Sequence, residues 1–89
     1  MGMFDSFYDA KGYEWQSKAL ACSLTSYRPG DTVPSAPLDH QMKVIGHRRW
    51  AYATIRDQCL ESVGSDRDMR LPLLDYTGGW LAVGKGDTP

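Results

Sequence analysis

The sequence lacks the long apolar run that a membrane-spanning helix needs. None of its 89 residues lie in an apolar stretch near the required length of about 18. The amino terminus, MGMFDSFYDAKG, has neither the positive region nor the apolar core of a secretory signal. A large excess of charge of one sign is also missing, because the chain has 10 Lys and Arg and 11 Asp and Glu, which gives a net charge of −1. We therefore expect no membrane contact, and the balance disfavours a binder that depends on a strongly basic surface.

Cysteine and histidine are scarce, with two of each in the chain. Cys22, Cys59, His40 and His47 show neither C-x-x-C nor H-x-x-x-H spacing, whereas structural zinc needs about four such ligands. Cys22 alternates with leucines, which is typical of a buried small side chain rather than a reactive thiolate. One cysteine pair indicates reduced cytosolic thiols, with a single disulfide as the alternative in an exported chain. We predict no metal, no cofactor, no catalytic residue and no enzymatic activity.

Helical periodicity is missing as well, because nine Gly and five Pro interrupt the candidate windows. Alternating, aromatic-rich and β-branched segments predict strands instead. Turn-forming residues separate these segments, and a loop surrounds Pro34 and Pro37. The predicted strands cover residues 3–8, 13–19, 20–25, 41–46, 50–56 and 59–63.

Six short strands joined by turns predict an all-β fold, a small antiparallel sandwich or half-open barrel of hairpins. We assign 1–63 to this β domain. Residues 64–89 are predicted to form a charged loop and then an apolar extended arm packed on the sheet, with a frayed end. The predicted core consists of Phe4, Phe7, Trp15, Leu20, Leu24, Val44, Ile55 and Leu60.

The sharpest local feature is the segment HRRW, in which Arg48 and Arg49 precede Trp50. Lys43 and Tyr52 flank it, so three cations lie near two aromatic side chains. Trp, Tyr and Arg are the residue types that anchor protein interfaces. The same composition also suits phosphate contact and base stacking. The net charge favours a protein partner over a nucleic acid.

Large aromatic side chains are abundant, since three Trp and five Tyr exceed what a small core can bury. In the arm, Tyr76 and Trp80 lie outside the predicted strands. The arm either closes the domain's own open edge, which we favour, or offers an apolar strip to a partner such as a second copy. The predicted interaction residues are Lys43, Arg48, Arg49, Trp50, Tyr52, Tyr76 and Trp80.

Three stretches in about the first two-thirds of the chain carry a resemblance: GMFDSFYDAKGYEWQSKAL, C-x-L-x-x-Y-x-x-GD from Cys22, and AYATIRDQ-x-LESV. They resemble small proteins of tailed bacteriophages, particularly those of actinobacteria. Many such proteins carry a zinc knuckle, two cysteines flanking a Pro-Lys pair, where this chain has YDAKG. The resemblance implies a phage or prophage origin and a location in the host cytoplasm, and it implies no activity.

Together these features predict a small, non-enzymatic phage-encoded protein that binds a host or phage protein in the host cytoplasm. The alternative is a nucleic-acid-binding module derived from a zinc-ribbon-like ancestor. In that alternative, Lys43, Arg48, Arg49 and Trp50 form the contact.

Overall fold

The computed structural model describes residues 3–20, 23–33 and 39–83, and these residues form eight strands. The all-β prediction is confirmed. Within the described ranges, no helix is long and apolar enough to span a membrane. In chain order the strands are β1 Asp5–Tyr8, β2 Glu14–Ser17, β3 Ser26–Tyr27, β4 His40–Gly46, β5 Arg49–Arg56, β6 Cys59–Gly64, β7 Pro72–Leu74 and β8 Trp80–Val83.

All eight strands belong to one mixed sheet whose main order is β3-β1-β2-β4-β5-β6. The pairs β1–β2, β4–β5 and β5–β6 are antiparallel hairpins, which the turn residues between the predicted strands had indicated. Two pairings are parallel, β1 with β3 and β4 with β7, so the sheet is mixed and not wholly antiparallel as predicted. A bulge between Thr54 and Ile55 interrupts the β5–β6 register, and such a bulge bends a strand and increases its twist.

Residues 30–33, which follow β3, form backbone hydrogen bonds with residues 58–60 at the start of β6. They therefore connect β3 and β6, the two outermost strands of the main order. Gly30 N–H donates to the Leu60 carbonyl over 2.7 Å, and Leu60 N–H donates to the Asp31 carbonyl over 2.9 Å. Val33 N–H donates to the Gln58 carbonyl over 2.7 Å. Because β3 also pairs with β1, the sheet curls around its core, in the manner of the half-open barrel that the strand count predicted.

The core fills the inner face of the curled sheet. Alternation along β4 and β5 directs Met42 and Val44 toward Ala53 and Ala51, their cross-strand partners, and all four side chains are buried. Two alanines here leave room for larger side chains from the other strands. The rest of the core cluster is Phe7, Trp15, Tyr27, Val33, Ile55, Leu60, Val63 and Leu74, with Leu20 packed against it.

Leu24 was wrongly placed in the core, since its side chain is 59% exposed. The cause is Asp5, which is fully buried on β1. Its Oδ1 accepts the Ser23 N–H at 3.1 Å and the Thr25 N–H at 3.0 Å. These bonds draw the backbone into a bend with Leu24 at φ 61°, so the described part of the predicted 20–25 strand is not extended. The predicted core residue Phe4 is half-buried.

The carboxy-terminal segment contributes to the sheet. Leu73 and Leu74 of β7 pair in parallel with Gln41 and Met42 of β4, and β8 pairs antiparallel with β7. Leu74 thereby joins the core. The predictions for Cys22, for the loop around Pro34 and Pro37, and for a frayed end over 84–89 fall outside the described residues.

Candidate functional site

The outer face of the sheet carries an aromatic cluster centred on Trp50. Trp50 lies on β5 opposite Ile45 of β4, and 47% of its surface is exposed. The Lys43 Nζ lies 4.3 Å from the centre of the Trp50 ring. The Tyr76 ring meets the Trp50 ring at 79°, with 5.8 Å between centroids. Trp50 is therefore held in one orientation by a cation and a second aromatic ring.

A fork in the sheet brings Tyr76 to this cluster. β4 pairs with β2 through Ile45 and Gln16 near its end, and with β7 near its start. The turn after β7 lies against β2, where the Tyr76 carbonyl accepts the Lys18 N–H over 2.9 Å. The Ser17 hydroxyl donates to the same carbonyl over 3.4 Å. These two hydrogen bonds, from residues at the end of β2 to the Tyr76 carbonyl, thus fix the position of Tyr76 beside Trp50.

Tyr52 extends the cluster along the outer face. It lies directly opposite Lys43 in the β4–β5 register and is half-buried. It also lines an open cleft of about 490 Å³ between β5, β6 and the loop over 65–70. The outer face therefore presents aromatic surface from Tyr76 across Trp50 to Tyr52.

Gln41 fixes the other wall of this cleft, although sequence reasoning assigned it no role. It is buried on the outer face, where its Oε1 accepts the Asp68 N–H and an Arg67 guanidinium N–H, both over 2.8 Å. Its Nε2 donates to the Thr54 hydroxyl over 3.0 Å and to the Asp66 carbonyl over 3.1 Å. Three of these bonds tie the 66–68 loop to the sheet, and the bond to Thr54 joins β4 to β5. A glutamine inside an apolar strand pattern was the available signal.

Arg48 and Arg49 lie where β4 turns into β5. His47 and Arg48 have φ values of 51° and 64°, which identifies a two-residue type I′ turn. The Arg49 guanidinium carbon lies 5.6 Å from the centre of the Trp15 ring. The His47 ring stands perpendicular to the same ring at 5.6 Å. The HRRW segment therefore forms the turn from β4 into β5, with Trp50 on the outer face of the sheet and Arg49 at the rim of the core.

The hairpin tip at YDAKG is organised by a carboxylate. Asp9 Oδ1 accepts the backbone N–H groups of Lys11 at 2.9 Å and Tyr13 at 3.0 Å, and Oδ2 accepts Trp15 Nε1–H at 3.2 Å. Burial raises the pKa of Asp9, but these hydrogen bonds outweigh it and hold the pKa below its ordinary value. Gly12 adopts φ 88°, which completes the turn. The YDAKG segment thus forms a hydrogen-bonded turn between β1 and β2.

Three cations near this cluster have no carboxylate within ion-pair distance in the described part of the chain. The described ion pairs join Arg56 to Asp39, Glu61 and Asp68, and Arg70 to Asp68. Among the described residues, Lys43, Arg48 and Arg49 form no ion pair. We call the surface formed by Lys43, Arg48, Arg49, Trp50, Tyr52 and Tyr76 the basic aromatic surface.

Trp80 does not belong to this surface. Its ring stands perpendicular to the buried His40 ring at 5.5 Å, beside the start of β4. Ile45, opposite Trp50, lies five residues further along β4, a span of about 17 Å at the usual rise of a strand. Since 46% of Trp80 is exposed, it forms a second, separate aromatic position.

The described ranges hold no group of three His, Cys, Asp or Glu side chains that could bind a metal ion. His47 contacts the rings of Tyr13 and Trp15, and Cys59 is a half-buried free thiol on β6. Tyr13, which is 53% exposed, widens the aromatic area at the turn. No protein-family model, curated protein or solved structure shows significant similarity to this chain.

Proposed function

We propose that this chain is a non-enzymatic binding protein that engages another protein through the basic aromatic surface. The observation that carries the proposal is the ordered, half-exposed Trp50, held by Lys43 and Tyr76. Tryptophan, tyrosine and arginine dominate the energetics of protein interfaces. A side chain that is already ordered loses little rotamer freedom on binding, which favours affinity.

The geometry of Trp50 also supports a protein over a nucleic acid as the partner. Base stacking needs an open ring face, but the Lys43 ammonium lies over this ring at 4.3 Å. A base arriving on that side would have to displace the cation. The net charge of −1 further disfavours phosphate binding.

The resemblance of the amino-terminal stretches to small phage proteins supports a phage or prophage origin. On that basis the partner is a host or phage protein, and the complex forms in the host cytoplasm. A second copy of the chain is the homodimeric alternative, which sedimentation of the purified protein distinguishes.

The test compares two tryptophans of equal exposure. Wild-type, Trp50→Ala and Trp80→Ala proteins are used to capture partners from host lysate supplied with phage proteins. We expect Trp50→Ala to weaken capture of the partner at least tenfold and Trp80→Ala to leave it unchanged. Circular dichroism and thermal unfolding verify that each variant is folded.

Lys43→Met serves as the second variant, because methionine keeps much of the packing on Trp50 and removes the charge. Equal capture by wild-type, Trp50→Ala and Lys43→Met proteins would contradict the proposal. Recovery of no partner at all would do the same. A gel-shift titration with single-stranded DNA over a salt series tests the nucleic-acid alternative, which requires strong salt-dependent binding.

A further inference from the structure

Positive charge is concentrated in one hairpin of the molecule. Residues 40–56 contain Lys43, Arg48, Arg49 and Arg56 and have no Asp or Glu. The whole chain holds 10 cations and 11 acids, so the residues outside this hairpin hold 6 cations and 11 acids. The hairpin is therefore a basic element in an otherwise acidic protein.

Only one of the four hairpin cations is compensated within the described part of the chain. Arg56 contacts Glu61 at 2.8 Å, Asp68 at 3.2 Å and Asp39 at 3.8 Å. Lys43 and Arg49 contact tryptophan rings instead. A cation–π contact orients a cation but leaves its net charge uncompensated.

The acids nearest to the turn already accept hydrogen bonds from other groups. Asp9 accepts from Trp15 Nε1 and from two backbone amides. Glu14, on the neighbouring strand, accepts from the Ser6 hydroxyl. Both acids keep their negative charge, but among the described residues neither forms an ion pair with Lys43, Arg48 or Arg49. These three cations are therefore available to pair with a binding partner.

Arg48 occupies a backbone position that suits glycine. It has φ 64° at the second central position of a type I′ turn, where Asn-Gly is the preferred sequence. A side chain there is strained, yet the turn presents an exposed arginine two residues before Trp50.

We infer that the partner presents an acidic peptide segment, rich in Asp and Glu and carrying apolar side chains, to the basic aromatic surface. This inference rests on the proposed function and specifies the chemistry of the partner. Carboxylates of the segment pair with Arg48, Arg49 and Lys43, while its apolar side chains cover Trp50 and Tyr76. Arginine suits this role because its planar fork binds carboxylates bidentately.

The test is a selection of random displayed 12-residue peptides on the full-length protein. Trp50→Ala protein serves as the counter-selection, so that only peptides bound at this surface are kept. We expect the selected peptides to be enriched in Asp and Glu over the unselected library. Affinity of a selected peptide should fall about tenfold when salt is raised from about 0.05 to about 0.5 M, because exposed charges are screened.

A matched pair of turn variants sharpens the result. Arg48→Gly should weaken a selected peptide at least fivefold, and Gln58→Gly, at the equivalent position of the β5–β6 turn, should leave it unchanged. Trp50-dependent peptides that are neutral or basic would overturn the acidic partner and leave the proposed function standing. The absence of any Trp50-dependent peptide would count against both. Tighter binding of a 20-nucleotide single-stranded DNA than of the peptides would overturn the inference in favour of nucleic acid.

Discussion

Gly46 lies directly against Trp15, with no room for a side chain between them. A Cβ added at Gly46 would lie 3.0 Å from the Trp15 ring and 2.9 Å from the Glu14 carbonyl oxygen. This close approach seats the β4–β5 turn on the end of β2. It also places Arg49 and His47 on the Trp15 ring, so the position of the basic turn depends on a missing methyl group.

Gly46→Ala should therefore destabilise the protein by about 1–3 kcal/mol, the usual cost of overpacking. The contact with Glu14 involves backbone, which cannot rotate away. Urea unfolding followed by tryptophan fluorescence measures the effect. Gly64→Ala is the control, because a Cβ there meets nothing within 4 Å. Equal stability of the two variants would show that β2 and β4 are not packed as described.

Both type I′ turns should become more stable when their second central residue is replaced by glycine. Arg48 and Gln58 have φ values of 64° and 63°. Glycine relieves about 1–2 kcal/mol of left-handed strain and costs about 0.5–1 kcal/mol in chain entropy. We expect Arg48→Gly and Gln58→Gly each to raise the free energy of unfolding by about 0.5–1 kcal/mol. Destabilisation by both substitutions would contradict the assigned turn geometry.

The hairpins could be predicted because their signals are local. Alternating side chains and turn residues placed strands at 41–46, 50–56 and 59–63, and the structure has them at His40–Gly46, Arg49–Arg56 and Cys59–Gly64. Cross-strand pairing then follows from a two-residue turn. The grouping of Lys43, Trp50 and Tyr52 is local in the same sense, because a hairpin register places them side by side.

The long-range features had no such signal. Leu24 was assigned to the core on alternation, but the buried Asp5 captures the amides on either side of it. The parallel pairing of β7 with β4 is flanked by the hydrogen bond from the Asp68 N–H to Gln41 and by the hydrogen bond from the Lys18 N–H to the Tyr76 carbonyl. Both bonds join residues that are far apart in the sequence. Nothing in the arm sequence separates Tyr76, which reaches Trp50, from Trp80, which reaches His40.

Replacing Gln41 by leucine should release the 66–68 loop from the sheet. The substitution leaves the Asp68 N–H and an Arg67 N–H without their acceptor. Both donors are half-buried, so the cost of each lies toward the lower end of the range of about 1–3 kcal/mol for a buried unsatisfied donor. We expect a loss of about 2–3 kcal/mol in the free energy of unfolding. Hydrogen exchange at the Asp68 amide should also become much faster.

Gln16→Leu is the matched control for Gln41→Leu. Gln16 is a half-buried glutamine on the same outer face, next to Ile45. Its side chain makes no hydrogen bond within the described ranges, so its replacement should change stability by less than about 0.5 kcal/mol. Unchanged hydrogen exchange at the Asp68 amide in the Gln41→Leu variant would show that the hydrogen bonds of Gln41 do not hold the 66–68 loop on the sheet.

Asp68 should make the stability of this loop sensitive to acid. Its carboxylate accepts Arg70 Nε–H at 3.0 Å and an Arg56 N–H at 3.2 Å. Hydrogen bonds from Arg70, with the charges of Arg70 and Arg56, lower the pKa of Asp68 from 3.8 to about 2. A depressed folded-state pKa stabilises the fold above the unfolded value and is lost as the pH falls through the folded value. The contribution should therefore be complete above pH 3.8 and decline toward pH 2.

Comparison of wild type with Asp68→Asn measures this contribution. The difference in the free energy of unfolding should be largest above pH 4 and should shrink steadily toward pH 2. Protonation of wild-type Asp68 removes its negative charge, and the asparagine side chain has no such charge at any pH. Asp66→Asn, which removes a charge from the same loop, is the control for a general charge effect. A gap between wild type and Asp68→Asn that stays constant from pH 7 to pH 2 would show that the Arg70 and Arg56 contacts do not depress the pKa of this carboxyl group.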